Sequence, residues 1–228
     1  MAKIVTASTI ASLPLARILL VTLLSLAPAA AHAGAQLEEA LAANVQNSLH
    51  RSVSDYPAPR LVFPTNVEGG AWLADMSSRL AAKIPDWPTR RDFLITVQYE
   101  ASRAGLDPQL VLGLIQQESN FRKYAVSSAG ARGYMQVMPF WMSQIGNPGH
   151  DLFTLRTNLR YGCTILRYYL DLENGDLYRA LGRYNGSLGR PEYPSAVVAS
   201  MRRLWLWNPA PASGDGPVSS RVGANALK

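Results

Sequence analysis

Asp107-Pro108-Gln109-Leu110-Val111-Leu112-Gly113-Leu114-Ile115-Gln116-Gln117-Glu118 is the stretch whose reading decides the fold. Asp107 offers a side-chain oxygen to the free N–H groups of a first helical turn, and Pro108 brings the φ that the first helical position needs. Leu110, Val111, Leu114 and Ile115 recur at helical spacing. Glu118 comes seven residues after Val111, four after Leu114 and three after Ile115. At about 100° per residue it points almost where they point. A carboxyl group on an apolar helix face is partly desolvated, which disfavours its charged form and raises its pKa. Such an acid can still hold a proton near neutral pH and give it to a leaving oxygen. On this geometry alone Glu118 is a candidate only, because a Glu at a helix end usually reaches water past the apolar patch.

The pattern continues on both sides. Thr89 and Asp92 form a T-x-x-D capping pattern, with Phe93, Val97, Ala101 and Ala104 at helical spacing and Gly105 as the stop. The Asp107 helix is expected to run to about Phe121. The stretch 120–133 holds Ser127, Ser128, Gly130 and Gly133 and is expected to be a loop. A short helix starts near Tyr134 or Pro139 and ends at Gly146. Leu159, Cys163, Leu166 and Leu170 mark a longer helix stopped by Asn174-Gly175, and Leu177, Ala180, Leu181 and Tyr184 mark another. The last runs over 194–206. No strand alternation and no internal repeat is evident. The chain is therefore expected to be all-α, with its main domain at 89–207.

Towards the N-terminus, 36–53 carries an apolar stripe at Leu37, Leu41, Val45 and Leu49. Tyr56-Pro57-Ala58-Pro59 stops it, the stretch to Gly70 is expected to be a linker, and 71–84 a short helix broken off by Pro85 and Pro88. Residues 34–88 thus form an expected helical extension and linker. Residues 1–33 have the layout of a secretory signal peptide: only Lys3 and Arg17 are charged, an apolar run covers 18–30, and Ala31-His32-Ala33 closes it. The run is short for a membrane-spanning helix, and an uncleaved anchor is the alternative. The expected location is periplasmic. From Pro209 the chain is rich in Pro, Ala, Gly and Ser, and 208–228 is expected to be a disordered tail.

Composition narrows the possible chemistry. Hydrophobic residues make up 48% of 228, which excludes global disorder. Loss of 1–33 would leave 195 residues and lower the net charge from +6 to +4. The single cysteine, Cys163, excludes an internal disulfide framework and a cysteine-rich metal site, and is expected to be a small buried residue. His32, His50 and His150 have no metal-ligand spacing. No metal or organic cofactor is indicated, and no nucleic-acid partner is expected.

Two further stretches could carry chemistry. Gly130-Ala131-Arg132-Gly133-Tyr134-Met135-Gln136-Val137-Met138-Pro139 combines two glycines with an aromatic ring, a thioether and an amide, a mixture suited to a sugar. Arg183-Tyr184-Asn185-Gly186-Ser187 places a hydroxyl on the apolar face of a helix just before a turn. Each alone is explained as well by a turn beside core residues.

Taken in order, Glu118-Ser119, Gly133-Tyr134-Met135-Gln136 and Tyr184-Asn185 resemble the Glu-Ser, Gly-Leu-Met-Gln and Ala-Tyr-Asn pattern of the soluble-lytic-transglycosylase (SLT) type of lytic transglycosylases. These belong to the lysozyme-like superfamily, which also holds goose-type lysozyme. The resemblance covers about 101–197, and Asn120-Phe121, Ala125, Ser127, Gly130-Ala131 and Met138-Pro139 agree with it. Tyr134 stands where Leu is usual, Arg183 where Ala is usual, and Gly186-Ser187-Leu188-Gly189 replaces Ala-Gly-Pro-Gly.

The resemblance implies a lysozyme-like helical domain with a substrate groove. It implies cleavage of the β-1,4 bond between N-acetylmuramic acid and N-acetylglucosamine in peptidoglycan, leaving 1,6-anhydromuramoyl ends. Glu118 would be the single acid and base. Tyr184 would orient it, and Ser119, Met135, Gln136 and Asn185 would line the groove with Tyr184. Peptidoglycan strands are the implied partner of a monomeric protein. The alternatives are a lysozyme-type hydrolase and a non-catalytic wall-binding protein. A third is a wall-opening enzyme of a secretion or pilus machine, with 36–84 as a docking segment.

Overall fold

The structure is a computed structural model that describes residues 36–54 and 57–208. The expected signal peptide and all but the first residue of the expected tail lie outside the described residues. The elements in chain order are α1 (Ala43–Ser54), α2 (Asn66–Leu80), α3 (Trp87–Arg103), α4 (Pro108–Glu118), α5 (Phe140–Ile145), α6 (Leu155–Leu172), α7 (Leu177–Asn185) and α8 (Glu192–Ser200). The π-helical turn Met201–Trp205 continues α8. Among the described residues there is no strand, only two isolated bridges, Val126 with Arg132 and Arg132 with Val137. The all-α expectation holds.

α4 is the central element. It packs on α3, α8 and the π-helical turn. Asp107 accepts a hydrogen bond from the Gln109 N–H, with Pro108 at the first helical position, as the sequence dictates. One apolar stripe was expected, but Leu110, Val111, Leu112, Gly113, Leu114 and Ile115 are buried without a break. Neighbours on several sides leave this helix little contact with water. Each buried Leu, Ile or Val contributes about 1.5–3 kcal/mol, so α4 is held firmly where its last residue is needed.

Several boundaries differ from expectation, each for a local reason. α3 starts at Trp87, because Asp86 caps it by accepting from the Thr89 N–H, and Pro88 fits the first turn instead of breaking it. α2 starts at Asn66, capped by Thr65, so Gly69 and Gly70 lie inside a helix and not in a linker. α1 starts at Ala43 and leaves 36–42 without regular structure. α4 ends at Glu118 because the backbone turns left-handed at Asn120 and Phe121, with φ of 49° and 65°. α8 starts at Glu192, not at Pro194.

Leu49 and Val53 of α1 and Trp72, Met76 and Leu80 of α2 belong to the same buried cluster as Phe93, Val111, Ile115 and Leu166. The stretch 36–84 thus shares the core of the residues that follow. Cys163 is fully buried, and burial pushes its thiol up in pKa. α3 and α6 are joined through Glu100, which has no exposed surface. Arg160 donates to its Oε1 at 2.9 Å and Arg103 to its Oε2 at 3.0 Å, while Arg156 stands 3.6 Å away.

Candidate active site

Glu118 closes α4 and is buried. Its Oε1 accepts a hydrogen bond from the Tyr193 hydroxyl, carried by the first turn of α8. Its Oε2 is buried and has no hydrogen-bond partner among the described residues. Burial lifts the Glu118 pKa from the ordinary 4.5 to about 8, and the Tyr193 bond opposes this only in part. The C-terminal end of a helix is the negative end of its dipole, and this too disfavours a carboxylate there. The structure therefore holds a protonated carboxylic acid at neutral pH.

The chain leaves Glu118 through a tight turn. Ser119 is buried, its Oγ donates to the Ile115 carbonyl at 3.3 Å, and its own carbonyl accepts from the N–H and Nε of Arg122. The left-handed backbone at Asn120 and Phe121 costs energy in residues other than glycine. It is held by the Phe121 ring, which packs at 5.8 Å from Phe93 and 5.2 Å from Trp205.

The loop of the second motif folds on itself. Arg132 and Val137 exchange backbone hydrogen bonds, and the Gly133 N–H reaches the Ala125 carbonyl. Gly133 has φ of 75°, and an added Cβ would come within 2.5 Å of the Leu152 carbonyl and 2.4 Å of Asn158 Nδ2. No side chain fits there. Asn158, fully buried on α6, ties the loop down: it accepts from the Met135 N–H and donates to the Arg132 and Leu152 carbonyls. Gly162 of α6 makes room for the Met135 side chain, whose sulfur a Cβ would meet at 2.4 Å.

Met135 and Gln136 were expected to line the groove. Both side chains are buried, and the Gln136 amide donates to the Ala125 and Gly133 carbonyls. What this loop has to offer a ligand is therefore mainly its backbone. Tyr184 was expected to bond Glu118. Its hydroxyl instead donates to the Met135 carbonyl at 2.8 Å, and the Glu118 charge acts on it only through space, helping burial to raise its pKa. Asn185, the last residue of α7, is buried beside it. The structure thus brings Glu118, Met135 and Tyr184 together and adds two residues that sequence reasoning missed, Tyr193 and Asn158. A Tyr in the first turn of the helix after the third motif was the available signal for the former.

Two of the three departures from the family pattern also have places. Tyr134 is buried with its ring 4.9 Å from Phe93. Arg183 donates to Glu173 and lies 3.7 Å from Glu39 in the stretch that precedes α1.

Residues 95–194 match the Transglycosylase SLT domain family. The chain is 38% identical over 84 residues to membrane-bound lytic murein transglycosylase C of Haemophilus influenzae (strain PittEE), covering 37% of this chain and 21% of that protein. It is 31% identical over 134 residues to the transglycosylase of Enterobacteria phage PRD1, covering 54% of this chain and 49% of that protein. With membrane-bound lytic murein transglycosylase C of Mannheimia succiniciproducens the identity is 41% over 66 residues, 29% of this chain and 17% of that protein. The chain thus spans half or less of the length of these relatives. Glu118, the Gly133 loop, Tyr184 and Tyr193 all fall inside residues 95–194, the stretch of the chain that matches the Transglycosylase SLT domain.

Proposed function

We propose that this protein cleaves peptidoglycan strands outside the cytoplasm as a lytic transglycosylase, with Glu118 as its one acid and base. The observation that carries this reading is the buried Glu118 carboxyl at the end of α4, hydrogen-bonded by Tyr193 and raised in pKa by burial. Glycosidases that hydrolyse through two carboxylates need a partner roughly 5–9.5 Å away. One carboxyl group suffices when the substrate brings its own nucleophile. Glu118 gives its proton to the glycosidic oxygen as the bond from C1 breaks. The C6 hydroxyl of the same sugar then attacks C1, and the Glu118 carboxylate takes the hydroxyl proton. The acid is restored, a 1,6-anhydro end is left, and no water is consumed. The Gly133 loop, with Met135 and Gln136 packed inward and Tyr184 bonded to it, meets the glycan through its backbone, and Ser119 and Asn185 support the site from either side. The names of the relatives, lytic murein transglycosylases, support the same substrate.

Mass spectrometry of peptidoglycan fragments tests the reaction. Ends lighter by one water than hydrolysed ends are expected; reducing ends alone would identify a hydrolase.

Tyr193 has a distinct role to test. Its hydrogen bond favours the ionised form of Glu118, so Tyr193→Phe raises the Glu118 pKa further. The fall of kcat/KM at alkaline pH moves to higher pH, and turnover drops about tenfold as the returning carboxylate loses its support. A pH–rate profile reads both. An alkaline limb that stays in place would show that Tyr193 acts on the fold and not on the acid.

A further inference from the structure

Residues 36–42 form a non-helical strap in front of α1 and are exposed except for Gln36, which is buried, and the half-buried Leu41. Gln36 reaches the loop of the second motif. Its Oε1 accepts from the Trp141 Nε1–H at 3.0 Å and from the Met138 N–H at 3.3 Å, and its Nε2 points to the Gln136 carbonyl at 3.5 Å. The same side chain stands against the Tyr184 hydroxyl, which is bonded to Met135 and feels the Glu118 charge. A single carboxamide from about a hundred residues upstream therefore fills the donors of Met138 and Trp141 and the acceptor of Gln136, next to the Tyr184 hydroxyl.

A carboxamide pairs one carbonyl acceptor with an N–H donor, and the acetamido group of an N-acetylated sugar carries the same pair. The Gln136 carbonyl, the Met138 N–H and the Trp141 indole N–H answer either group equally well. Buried backbone groups need a partner, so these are satisfied by Gln36 or by a ligand. The strap is held elsewhere by exposed contacts: Gln144 donates to the Glu39 carbonyl at 3.1 Å, and Arg183 faces the Glu39 carboxylate. Arg183 is the residue that departs from the family's Ala. Contacts of this kind are weak individually; Leu41, next to α1, packs against the core and anchors that end, so it is 36–40 that can lift.

We propose that the strap is a built-in competitor of the glycan: the Gln36 carboxamide occupies the place of a substrate acetamido group, and the strap must lift for the glycan to seat beside Glu118. This rests on the glycan-cleaving reading above. It makes the resting enzyme self-occluded, and substrate binding is weakened by the fraction of time the strap is docked.

The test measures binding of tetra-N-acetylchitotetraose by calorimetry, in the Glu118→Gln background so that no turnover intervenes. Adding Gln36→Ala is expected to tighten binding about fivefold, the gain for a strap docked roughly four-fifths of the time. Glu39→Ala, which loosens the strap without touching the pocket, is expected to tighten it in the same direction by a smaller factor. Saturating oligosaccharide is expected to speed hydrogen exchange at the 37–40 amides of the chain with native Gln36. Unchanged or weaker binding in Gln36→Ala would overturn the proposal, as would unchanged exchange in 37–40 or a lack of oligosaccharide binding by every variant. Failure of peptidoglycan cleavage with a retained gain in binding would instead count against the catalytic reading alone.

Discussion

Glu118→Gln is expected to lower turnover of peptidoglycan by about a thousandfold or more, since it removes the only group assigned to donate and recover the proton. The same substitution is expected to make the protein more stable, and increasingly so as pH rises. Glu118 sits at about 8 in the folded chain against an ordinary 4.5. Its folded pKa is raised, so the stability it contributes is fully present below about pH 4.5 and is lost as pH climbs through 8. In that window the unfolded chain ionises Glu118 while the folded chain must keep it protonated. Gln has the same shape, can accept the Tyr193 hydrogen bond and never ionises. The variant should therefore match the parent near pH 4.5 and exceed it by about 4 kcal/mol at pH 8. Urea unfolding at several pH values measures the gap. Parallel stability curves for the two proteins would mean that Glu118 is not buried as an acid, and full activity in the variant would remove it from the mechanism.

Glu100→Ala is expected to cost about 3–5 kcal/mol of folding stability, because it removes the buried carboxylate that Arg160 and Arg103 share. Glu100 has no exposed surface and binds Arg160 through two hydrogen bonds, with Arg103 on the same oxygen as one of them. For a chain of this length that corresponds to a fall in Tm of roughly 10 °C. The double variant Glu100→Ala with Arg160→Ala should lose less than the two single losses added, since both break the same ion pair. Thermal unfolding of the three variants decides it. Additive losses would show that the two residues act independently. A milder Glu100→Ala, within about 1 kcal/mol of the parent, would show that the cluster is no more than a surface ion pair.

Much of this protein is legible because helix formation is local. Asp107 and Pro108 start α4 where the sequence says, and Asp176 starts α7 by accepting from the Arg179 N–H. Gly186, with φ of 77°, ends α7 at the predicted turn. The direction of Glu118 follows from the same short-range geometry. The misplaced starts of α2 and α3 have the same origin: Thr65 and Asp86 cap better than the residues chosen, and a proline in a first turn is easily mistaken for a break.

The partners of the acid are a different matter. Tyr193 lies 75 residues from Glu118, Asn158 lies 23 residues from Met135, and Gln36 lies 105 residues from Trp141. Nothing in the spacing of one chain marks such pairs, because each depends on how helices pack. Tyr184 is close enough to feel the Glu118 charge, but which hydroxyl bonds the carboxyl depended on how α8 seats against α4 and α7.

By itself the sequence determined an all-α chain and the helix that carries Glu118; the chemistry proposed for Glu118 is what the resemblance of its three motifs implies. Capping, periodicity and glycine placement act within a few residues and are written where they act. Only the tertiary structure decided that Glu118 is buried enough to stay protonated, that Tyr193 supports it, and that Gln36 reaches the neighbouring loop. Desolvation and long-range hydrogen bonds belong to surfaces that exist only once the helices have packed, and no single helix carries them.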